Sequence, residues 1–545
     1  TIMDKLISFS IPLMLSGILQ LMFNAVDIVV VGRFSGSQAL AAVGSTTALI
    51  NVFTNLFIGI SLGANVLAAR YYAAGKTKEM SETVHTAIAL ALVSGVAMAV
   101  IGVVFARGAL EIMGTPDDVI AKSTLYMRIY FLGMIGNLIY NMGSGILRAV
   151  GDSKRPLYFL IASCLTNIVL DLLFVVCFKM GVAGAALATI LSQLLSAVLV
   201  IIVLMRTKDM YHLELKKIGF DKRMFRRIIR IGFPAGLQSV MYSLSNLIIQ
   251  VAINKEGTDT VAAWTVYGKI DVMFWMVINA FGISVTTFVG QNFGAGKLDR
   301  VKKGIRTCLG LSLVATVLIS TFLYVGCGVI FSFFTKDATV IEVGVQIARF
   351  LVPLYVTYIC VEIMSGSLRG VGDVWVPTLI CLSGICLIRV IWIMTAVPVW
   401  PGIRTIIFSY PLTWTVTSIL FILYYLFFSK IKKKEAYPTM TKIDIFSGFL
   451  GAGKTTLIKK LIAEAYAGEK LVLIENEFGE INIDGGFLKE SGIEISEMSA
   501  GCICCSLVGD FNKALREVVE QFHPDRILIE PSGVGKLSDV IVAVE

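Results

Sequence analysis

Residues 6–31 read LISFSIPLMLSGILQLMFNAVDIVVV, and Asp27 is the one charged side chain in this stretch. A helix of this length is sufficient to cross the ~30 Å hydrocarbon core of a bilayer. A carboxylate at that depth costs about 2.5–3.5 kcal/mol, so it is usually retained for a task. We therefore interpret Asp27 as a functional residue in a membrane-spanning helix.

The composition supports a membrane protein. Of the 545 residues, 56% are hydrophobic and 16% are charged, whereas soluble domains carry about 25% charged residues. The first apolar stretch is too long for the core of a signal peptide, and more such stretches follow it. We expect the chain to lie in a lipid bilayer and to have no nucleic-acid partner. The sequence leaves the oligomeric state open.

Apolar stretches of about 20 residues, the length of a transmembrane helix, occur twelve times. They lie at 6–32, 42–70, 83–106, 122–147, 156–178, 182–205, 231–253, 261–292, 305–332, 341–367, 375–396 and 403–428. Pro12, Pro234, Pro353 and Pro411 interrupt four of them. Neighbouring helices can satisfy the backbone groups that such prolines free. The sequence therefore predicts an all-α polytopic membrane protein with twelve spans.

Basic residues are concentrated in every second loop. The loops after even-numbered spans contain Lys76 and Lys78, then Lys154 and Arg155, then a dense basic run at 206–230, then four cations within 297–303. The loops after odd-numbered spans contain mostly one basic residue each. Because cytoplasmic loops carry an excess of Lys and Arg, we predict a cytoplasmic-membrane protein with both ends in the cytoplasm.

The two halves of the membrane region repeat each other. The element R-x-V-G-D with a following proline occurs at Arg148–Asp152 and again, 221 residues later, at Arg369–Asp373. At the same offset, the tripeptide at 74–76 recurs at 295–297. Six spans separate the copies, and an even number predicts parallel repeats. The substrate path then lies between two bundles, near the middle of the membrane.

With these two elements and the V-D-x-x-x-V-G pattern at 26–32, the region at about 3–430 resembles the multidrug and toxic compound extrusion (MATE) family. The resemblance implies two six-helix bundles, at 1–215 and 216–434. It also implies a proton- or sodium-coupled antiporter that exports drugs and other small-molecule cationic substrates by alternating access.

Asn167 and Asp171 are four residues apart and share one face of the fifth predicted span. The resemblance implies that they form a cation-coupling site with Asp27 of the first span and Thr189 of the sixth. Two adjacent carboxylates can share a proton, or they can hold Na⁺ together with amide and hydroxyl oxygens. The alternatives are a structural hydrogen-bonded acid pair and, for Asn167 and Thr189, helix packing.

The second half does not duplicate this acidic pair, because Trp392 occupies the position that is equivalent to Asp171 in the repeat. Its deep charges are Glu362 and Arg389. Glu362 is a further candidate for cation coupling, and an ion pair between Glu362 and Arg389 is the alternative. Four aromatic residues are candidates either for contact with a cationic drug or for interfacial anchoring: Trp264, Tyr267, Phe274 and Trp275.

A different type of sequence follows a short linker at 435–441. The predicted strand at 442–446 leads into the motif G-x-x-x-x-G-K-T, which spans 448–455. Between a strand and a helix, this motif indicates a P-loop for a nucleotide and Mg²⁺. The candidate nucleotide-binding residues in this loop are Gly448, Gly451, Gly453, Lys454, Thr455 and Thr456.

The tail also contains G-C-x-C-C at 501–505 and E-P-S-G at 530–533. With the P-loop, these motifs resemble the CobW-like metallochaperone GTPases over 442–545. The resemblance implies GTP binding with Glu530 near Mg²⁺, Gly533 at the terminal phosphate, and Zn²⁺ or a similar metal on Cys502, Cys504 and Cys505. No N-K-x-D motif for guanine follows, so we expect a partial α/β P-loop segment whose GTPase activity stays open.

Three functions compete. The first is a cation-coupled multidrug antiporter. The second is a flippase for a lipid-linked precursor, a class that needs a cavity rich in basic residues; the paired acids and the isolated Arg389 favour cationic cargo instead. The third is a metal-trafficking fusion of a transporter with a metallochaperone.

Overall fold

The structure is a computed structural model that describes residues 1–427, 442–446, 453–466, 471–475, 494–495, 519 and 524–530. The chain divides into two compact units, Thr1–Lys433 and Lys434–Glu545. In its described residues the first unit is helical, and the second contains a small parallel sheet. The predicted fold class, an all-α membrane region followed by an α/β segment, is confirmed.

The first half consists of six spans in chain order. They are span 1 (Ile2–Phe34), span 2 (Ser37–Ala73), span 3 (Thr77–Ile112), span 4 (Asp117–Leu132 and Met134–Ala149), span 5 (Lys154–Asp171, continued by a π-helical turn at Leu172–Cys177) and span 6 (Gly181–Arg206).

The second half repeats this plan, with more interruptions. It contains span 7 (Lys222–Ile253), span 8 (Thr258–Ile270 and Val272–Gly294), span 9 (Leu298–Phe334), span 10 (Ala338–Leu351, Val352–Tyr358 and Ile359–Gly370), span 11 (Trp375–Cys381, Leu382–Leu387 and Ile388–Val399) and span 12 (Ile403–Phe427).

Among the described residues, eleven helices are long and apolar enough to cross a membrane. The stretch predicted at 122–147 is not among them; there, span 4 consists of two helices of 16 residues each that meet at Gly133. A Cβ atom at Gly133 would lie 2.1 Å from a side-chain carbon of Ile190. Span 6 therefore approaches the backbone of span 4 at the break, which only glycine permits.

Local chemistry sets several helix boundaries. The carboxylate of Asp221 accepts the backbone N–H of Met224 (2.7 Å) and begins span 7, as expected for an N-cap. Pro12 lies inside span 1, and the hydroxyl of Ser16 donates to its carbonyl oxygen (2.8 Å). Pro12, Pro234 and Pro411 all lie inside helices, so the spans tolerate these prolines.

The outer faces of the spans are apolar. Phe105 is 64% exposed, Val325 is 77% exposed and Phe333 is 82% exposed. Soluble monomers rarely leave contiguous surfaces of this kind uncovered. Inside the second half, a separate core contains Phe274, Phe331, Tyr355, Trp414 and Phe421. The arrangement is that of a bundle whose exterior is solvated by lipid.

Glycines allow the two halves to meet closely along spans 2 and 7. A Cβ atom at Gly59 would lie 2.2 Å from the Cα atom of Gly236, and one at Gly63 would lie 2.4 Å from the carbonyl oxygen of Ile228. A Cβ atom at Gly232 would lie 2.5 Å from the Cα atom of Ile60. The backbones are therefore in contact, as is typical of small-residue interfaces between membrane helices.

The described residues of the second unit form four parallel strands in the order β1-β4-β2-β3. They are β1 (Lys442–Ile445), β2 (Leu471–Glu475), β3 (Glu494–Ile495) and β4 (Arg526–Glu530), and a helix, Lys454–Glu464, follows β1. Ile458 of this helix packs with Leu528 of β4. The predicted strand before the nucleotide motif and the predicted helix after it are both present.

Replacing Gly59 with Ala should force spans 2 and 7 apart, because the added methyl group has no space beside Gly236. We expect a loss of stability of about 1–3 kcal/mol, the usual cost of overpacking, measured as a lower midpoint of thermal unfolding in detergent. Gly44→Ala is the matched control in the same helix, since its Cβ atom would contact nothing within 4 Å. Equal midpoints for the two variants would contradict the packing argument.

Candidate functional site

The four predicted residues of the first half come together inside the bundle. Asp27 lies in span 1, Asn167 and Asp171 in span 5, and Thr189 in span 6. All four are buried, with exposures of 7% for Asp27 and 2% or less for the others. Asn167, Asp171 and Thr189 adjoin Asp27. We call this group the acidic cluster.

Most polar atoms of the acidic cluster have no protein partner. The hydroxyl of Thr189 lies 3.1 Å from Oδ2 of Asp27, to which it can donate. Oδ1 of Asp27, both carboxylate oxygens of Asp171 and both amide atoms of Asn167 are buried without a hydrogen bond. Buried polar atoms in native proteins are almost always satisfied. The acidic cluster therefore concentrates four unpartnered oxygens at one point.

A break in the helix accompanies Asp171. The α-helical part of span 5 ends at this residue, and the π-helical turn Leu172–Cys177 begins directly after it. Turns of this type occur often at functional sites, because they re-aim side chains and loosen the backbone. Sequence reasoning missed this turn, since residues 172–177 read as an ordinary apolar helix.

Two tyrosines of span 4 were also missed. Tyr126 and Tyr130 stack on each other with ring centroids 6.1 Å apart, and both lie within electrostatic range of Asp27. Tyr126 is 6% exposed. They close the acidic cluster on the side of span 4. Their four-residue spacing was a signal, but tyrosines at helical spacing are more often core residues.

Glu362 lies apart from the acidic cluster, in span 10. It accepts a hydrogen bond from the hydroxyl of Tyr358 (3.2 Å) and pairs with the guanidinium of Arg369 (3.5 Å). The considered ion pair between Glu362 and Arg389 is not formed. Arg369 is seven residues from Glu362, two helical turns along the same span, so local geometry determines the partner.

Arg389 has neutral partners instead. Its guanidinium donates to the amide oxygen of Asn246 (3.1 Å) and to the hydroxyl of Thr413 (3.3 Å). It also lies over the ring of Tyr410, 4.3 Å from the centroid. The residue is 3% exposed, and its Nε atom is buried without a partner.

A cavity of about 490 Å³ lies in the membrane unit, with walls contributed by both halves. Ser61, Asn65 and Arg148 come from the first half, and the second half supplies most of the remaining wall. The polar and aromatic residues of that part of the wall include Gln238, Asn246, Trp264, Tyr267, Asp271, Trp275, Glu362, Arg369, Arg389, Tyr410 and Trp414. This volume is typical of a small-molecule site.

Aromatic rings form one continuous side of the cavity. Tyr410 lies 5.8 Å from Trp264 and 5.5 Å from Trp414, and Trp414 lies 6.0 Å from Trp275. The indole N–H of Trp275 donates to Asp271 (2.9 Å), which sits at the break in span 8. We call these rings and Asp271 the aromatic wall. Asp271 was not singled out in the sequence, although it is an acid inside the apolar stretch 261–292.

Three of the four predicted aromatic contacts line the cavity, and one does not. Trp264, Tyr267 and Trp275 contribute to its surface. Phe274 is 1% exposed and stacks on Tyr355 with centroids 4.2 Å apart. Phe274 therefore does not contact the cavity, because its ring is buried in the core. The neighbouring Trp275 lines the cavity instead.

Within the described residues, the hydrogen bonds between the halves gather at the end that carries the basic loops. Arg70 donates through Nε and a terminal nitrogen to the carbonyl oxygen of Gly370, both at 3.1 Å, and it lies 5.5 Å from the ring centre of Phe293. Gln291 donates to the carbonyl oxygen of Ala149 (2.6 Å). These contacts close the bundle at that end; we call Arg70 and Gly370 the latch.

In the second unit, the structure describes the last part of the nucleotide motif, from Gly453 onward. Gly453 has φ +79, in the left-handed region that favours glycine, and Lys454 begins the following helix. Thr455 and Thr456 lie in its first turn, and Glu530 ends β4. A helix N-terminus after such a glycine suits a phosphate group, so these residues fit a nucleotide. Gly448, Gly451, Gly533, Cys502, Cys504 and Cys505 lie outside the described residues, and the zinc hypothesis stays a prediction.

The two repeated halves, the buried acidic cluster and the internal cavity define a multi-pass membrane transporter. Residues 12–173 and 234–395 match the MatE family model, and the chain belongs to this multidrug efflux transporter family. Residues 442–544 match the nucleotide-binding domain of CobW/HypB/UreG. Both sequence resemblances are confirmed.

Individual relatives of the chain support the same family assignment. The chain is 30% identical to the probable multidrug resistance protein YoeA of Bacillus subtilis over 384 residues, 69% of this chain and 83% of the relative. It is 25% identical to the probable multidrug resistance protein NorM of Thermotoga maritima, over 70% and 83% of the two chains. An outward-facing multidrug resistance MATE family transporter superposes with a TM-score of 0.72 at 20% identity, covering 78% of this chain and 95% of that chain.

Replacing Arg70 with Met keeps an unbranched apolar stem but removes both donors to Gly370. Hydrogen bonds from a charged group contribute ~1.5–3 kcal/mol each, so we expect the closed end to open at least tenfold more often. Amide hydrogen exchange in peptides covering 287–297 and 366–374 should be faster.

Arg107→Met is the matched control, because Arg107 pairs with Glu111 of its own helix on an exposed face (2.9 Å). It should leave exchange in both peptides unchanged. Identical exchange in the wild type and the Arg70 variant would show that the latch does not hold this end closed.

Proposed function

We propose that this transporter is a cation-coupled antiporter that exports amphiphilic small molecules carrying a positive group. One observation carries the proposal: the four buried, unpartnered oxygens of Asp27, Asp171 and Asn167. Two carboxylates packed together inside a bundle cannot both stay charged and unpaired, because the desolvation and repulsion would be too costly. The cluster therefore takes up a proton or Na⁺.

Span 1 connects this cluster to the second half. Asp27 lies near one end of the span, and the hydroxyls of Ser10 and Ser284, 2.7 Å apart, join the other end to span 8. Pro12, close to Ser10, removes one backbone hydrogen bond from the helix and permits it to bend there. We infer that neutralising Asp27 changes the path of span 1 and, through it, the contact between the halves.

The cavity is the proposed cargo site. Its aromatic wall offers flat apolar surfaces, and Asp271 supplies a negative charge beside them. Aromatic faces attract cations, by ~2 kcal/mol or more where water is excluded. A drug with an aromatic ring and a protonated amine fits both features. This places the cargo in the second half and the coupling cation in the first.

The basic loops give the direction of transport. We propose that the latched end faces the cytoplasm of the cell, since cytoplasmic loops carry the excess of Lys and Arg. In this state the cavity is shut off from the cytoplasm, which corresponds to the step that releases cargo outward. Cation uptake by the acidic cluster then accompanies the return to the inward-facing state.

Asp27→Asn should abolish the coupling, because the amide keeps the shape of the side chain but cannot exchange a proton or attract Na⁺. In proteoliposomes we expect gradient-driven efflux of a cationic dye to fall at least tenfold. Replacing Na⁺ by choline at a fixed pH gradient identifies the coupling cation.

Asp117→Asn, which alters an exposed acid in the first turn of span 4, serves as the control and should transport normally. Thermal unfolding of both variants checks that they fold. Full gradient-driven efflux by a folded Asp27→Asn protein would refute the assignment of the acidic cluster.

For the second unit we propose nucleotide binding at the segment from β1 to Lys454. In the full chain, Lys454→Ala should reduce binding of a fluorescent GTP analogue by at least tenfold, since this lysine neutralises the phosphates in a P-loop. Lys460→Ala, an exposed position on the same helix, is the control. Equal binding by both variants would contradict the proposal. Dye efflux by each variant tests whether the nucleotide also affects transport.

A further inference from the structure

The cavity has charges of both signs, and positive charges outnumber negative ones. The charged residues of its wall are three arginines, Arg148, Arg369 and Arg389, and two acids, Asp271 and Glu362. Only the pair of Arg369 and Glu362 is within ion-pair distance. A site for purely cationic cargo has no evident use for two further arginines.

The internal repeat shows which acid is missing beside Arg148. Arg148 and Arg369 occupy equivalent positions, 221 residues apart, and the position equivalent to Glu362 holds Asn141. The amide N–H of Asn141 donates to the side-chain oxygen of Asn137 (3.0 Å), and the described residues show no hydrogen bond from Arg148 to Asn141. Among the described residues, no hydrogen bond or ion pair involves the guanidinium of Arg148. The first half therefore kept the arginine without its acid.

Arg389 is the more deeply buried of the two unpaired arginines. Of its five N–H donors, one bonds to Asn246 and one to Thr413, both neutral, and its Nε atom has no partner. Within the part of the chain that the structure describes, no carboxylate lies within 4 Å of it. A buried cation without a counter-ion is costly, and a bidentate guanidinium suits a carboxylate. These facts are explained if the missing anion arrives with the cargo.

The aromatic wall connects this arginine to the acid at its other end. Arg389 lies against Tyr410, which is followed by Trp414 and then by Trp275, the donor to Asp271. A flat ring placed along this wall has a cation at one end and a carboxylate at the other. The two ends recognise opposite charges on one molecule.

We propose that Arg389 is an anion subsite of the cavity, and that the transporter takes aromatic zwitterions whose carboxylate binds Arg389 while their cationic group faces Asp271. This assignment rests on the proposed function of the cavity as the cargo site. It narrows the cargo class from organic cations to cations that also carry a carboxylate.

Tetramethylrhodamine and its methyl ester test this subsite, because both share one cationic ring system and only the former has a free carboxylate. Fluorescence anisotropy with the full chain in detergent gives the Kd of each dye. We expect the free acid to bind the wild type at least fivefold more tightly than the ester. In Arg389→Gln the preference should disappear through weaker binding of the acid, while the Kd of the ester changes less than twofold. Arg389→Lys, which keeps the charge, should retain part of the preference.

Arg349→Gln is the matched control, since Arg349 lies over the ring of Tyr324 and away from the cavity; it should keep the full preference. Equal affinity of the wild type for the two dyes, or an equal loss of both in Arg389→Gln, would overturn the subsite. If neither dye bound the wild type, the cargo site itself would be refuted, and with it the proposed function. Binding of the ester alone would leave that function standing and remove only the anion subsite.

Discussion

Two carboxylates, Asp27 and Asp171, buried in one apolar bundle are the constraint on which the membrane unit depends. Their oxygens lack hydrogen-bond partners among the described residues, apart from the contact of Thr189 with Asp27. An arrangement of this kind would cost several kcal/mol if it were permanently charged and empty. Binding of a proton or a small cation, as we propose, would remove this cost. The helix break at Asp171 gives the bundle a point at which it can respond to that exchange.

The two halves share a fold but have diverged in charge. The first half keeps the acid pair and has lost the acid that would neutralise Arg148, whereas the second half keeps Glu362 with Arg369 and has Trp392 where the first has Asp171. The cavity inherits this asymmetry, because most of its wall comes from the second half. Coupling cation and cargo are thus assigned to different bundles, so they need not compete for the same oxygens, and communication between them must pass through the helices that touch both.

The sequence was most informative where the physics is local or periodic. Apolar length predicts spans, the 221-residue offset predicts the two halves, and the cost of an intramembrane acid singles out Asp27 and Asp171. The sequence was least informative where packing between distant helices determines the contacts of a side chain. The partner of Glu362, the neutral surroundings of Arg389 and the bonds of Arg70 to Gly370 depend on helices distant in sequence. Asp271 was missed although the sequence contained the signal. It is an acid inside the apolar stretch 261–292, like Asp27 inside 6–31.

The proposed function requires coupling between the latch and the acidic cluster, although the described residues show no contact between them. Span 1 carries Asp27 and meets span 8 through Ser10 and Ser284, and span 8 also carries Gln291, which bonds across to Ala149 at the closed end. The route from Asp27 to the closed end therefore runs along span 1, through the Ser10–Ser284 hydrogen bond, and along span 8 to Gln291. The latch consists of bonds from a charged donor to one carbonyl oxygen, a few kcal/mol in total. Neutralising a buried carboxylate also changes the energy of a bundle by several kcal/mol, which is enough to shift an equilibrium between a latched and an unlatched state.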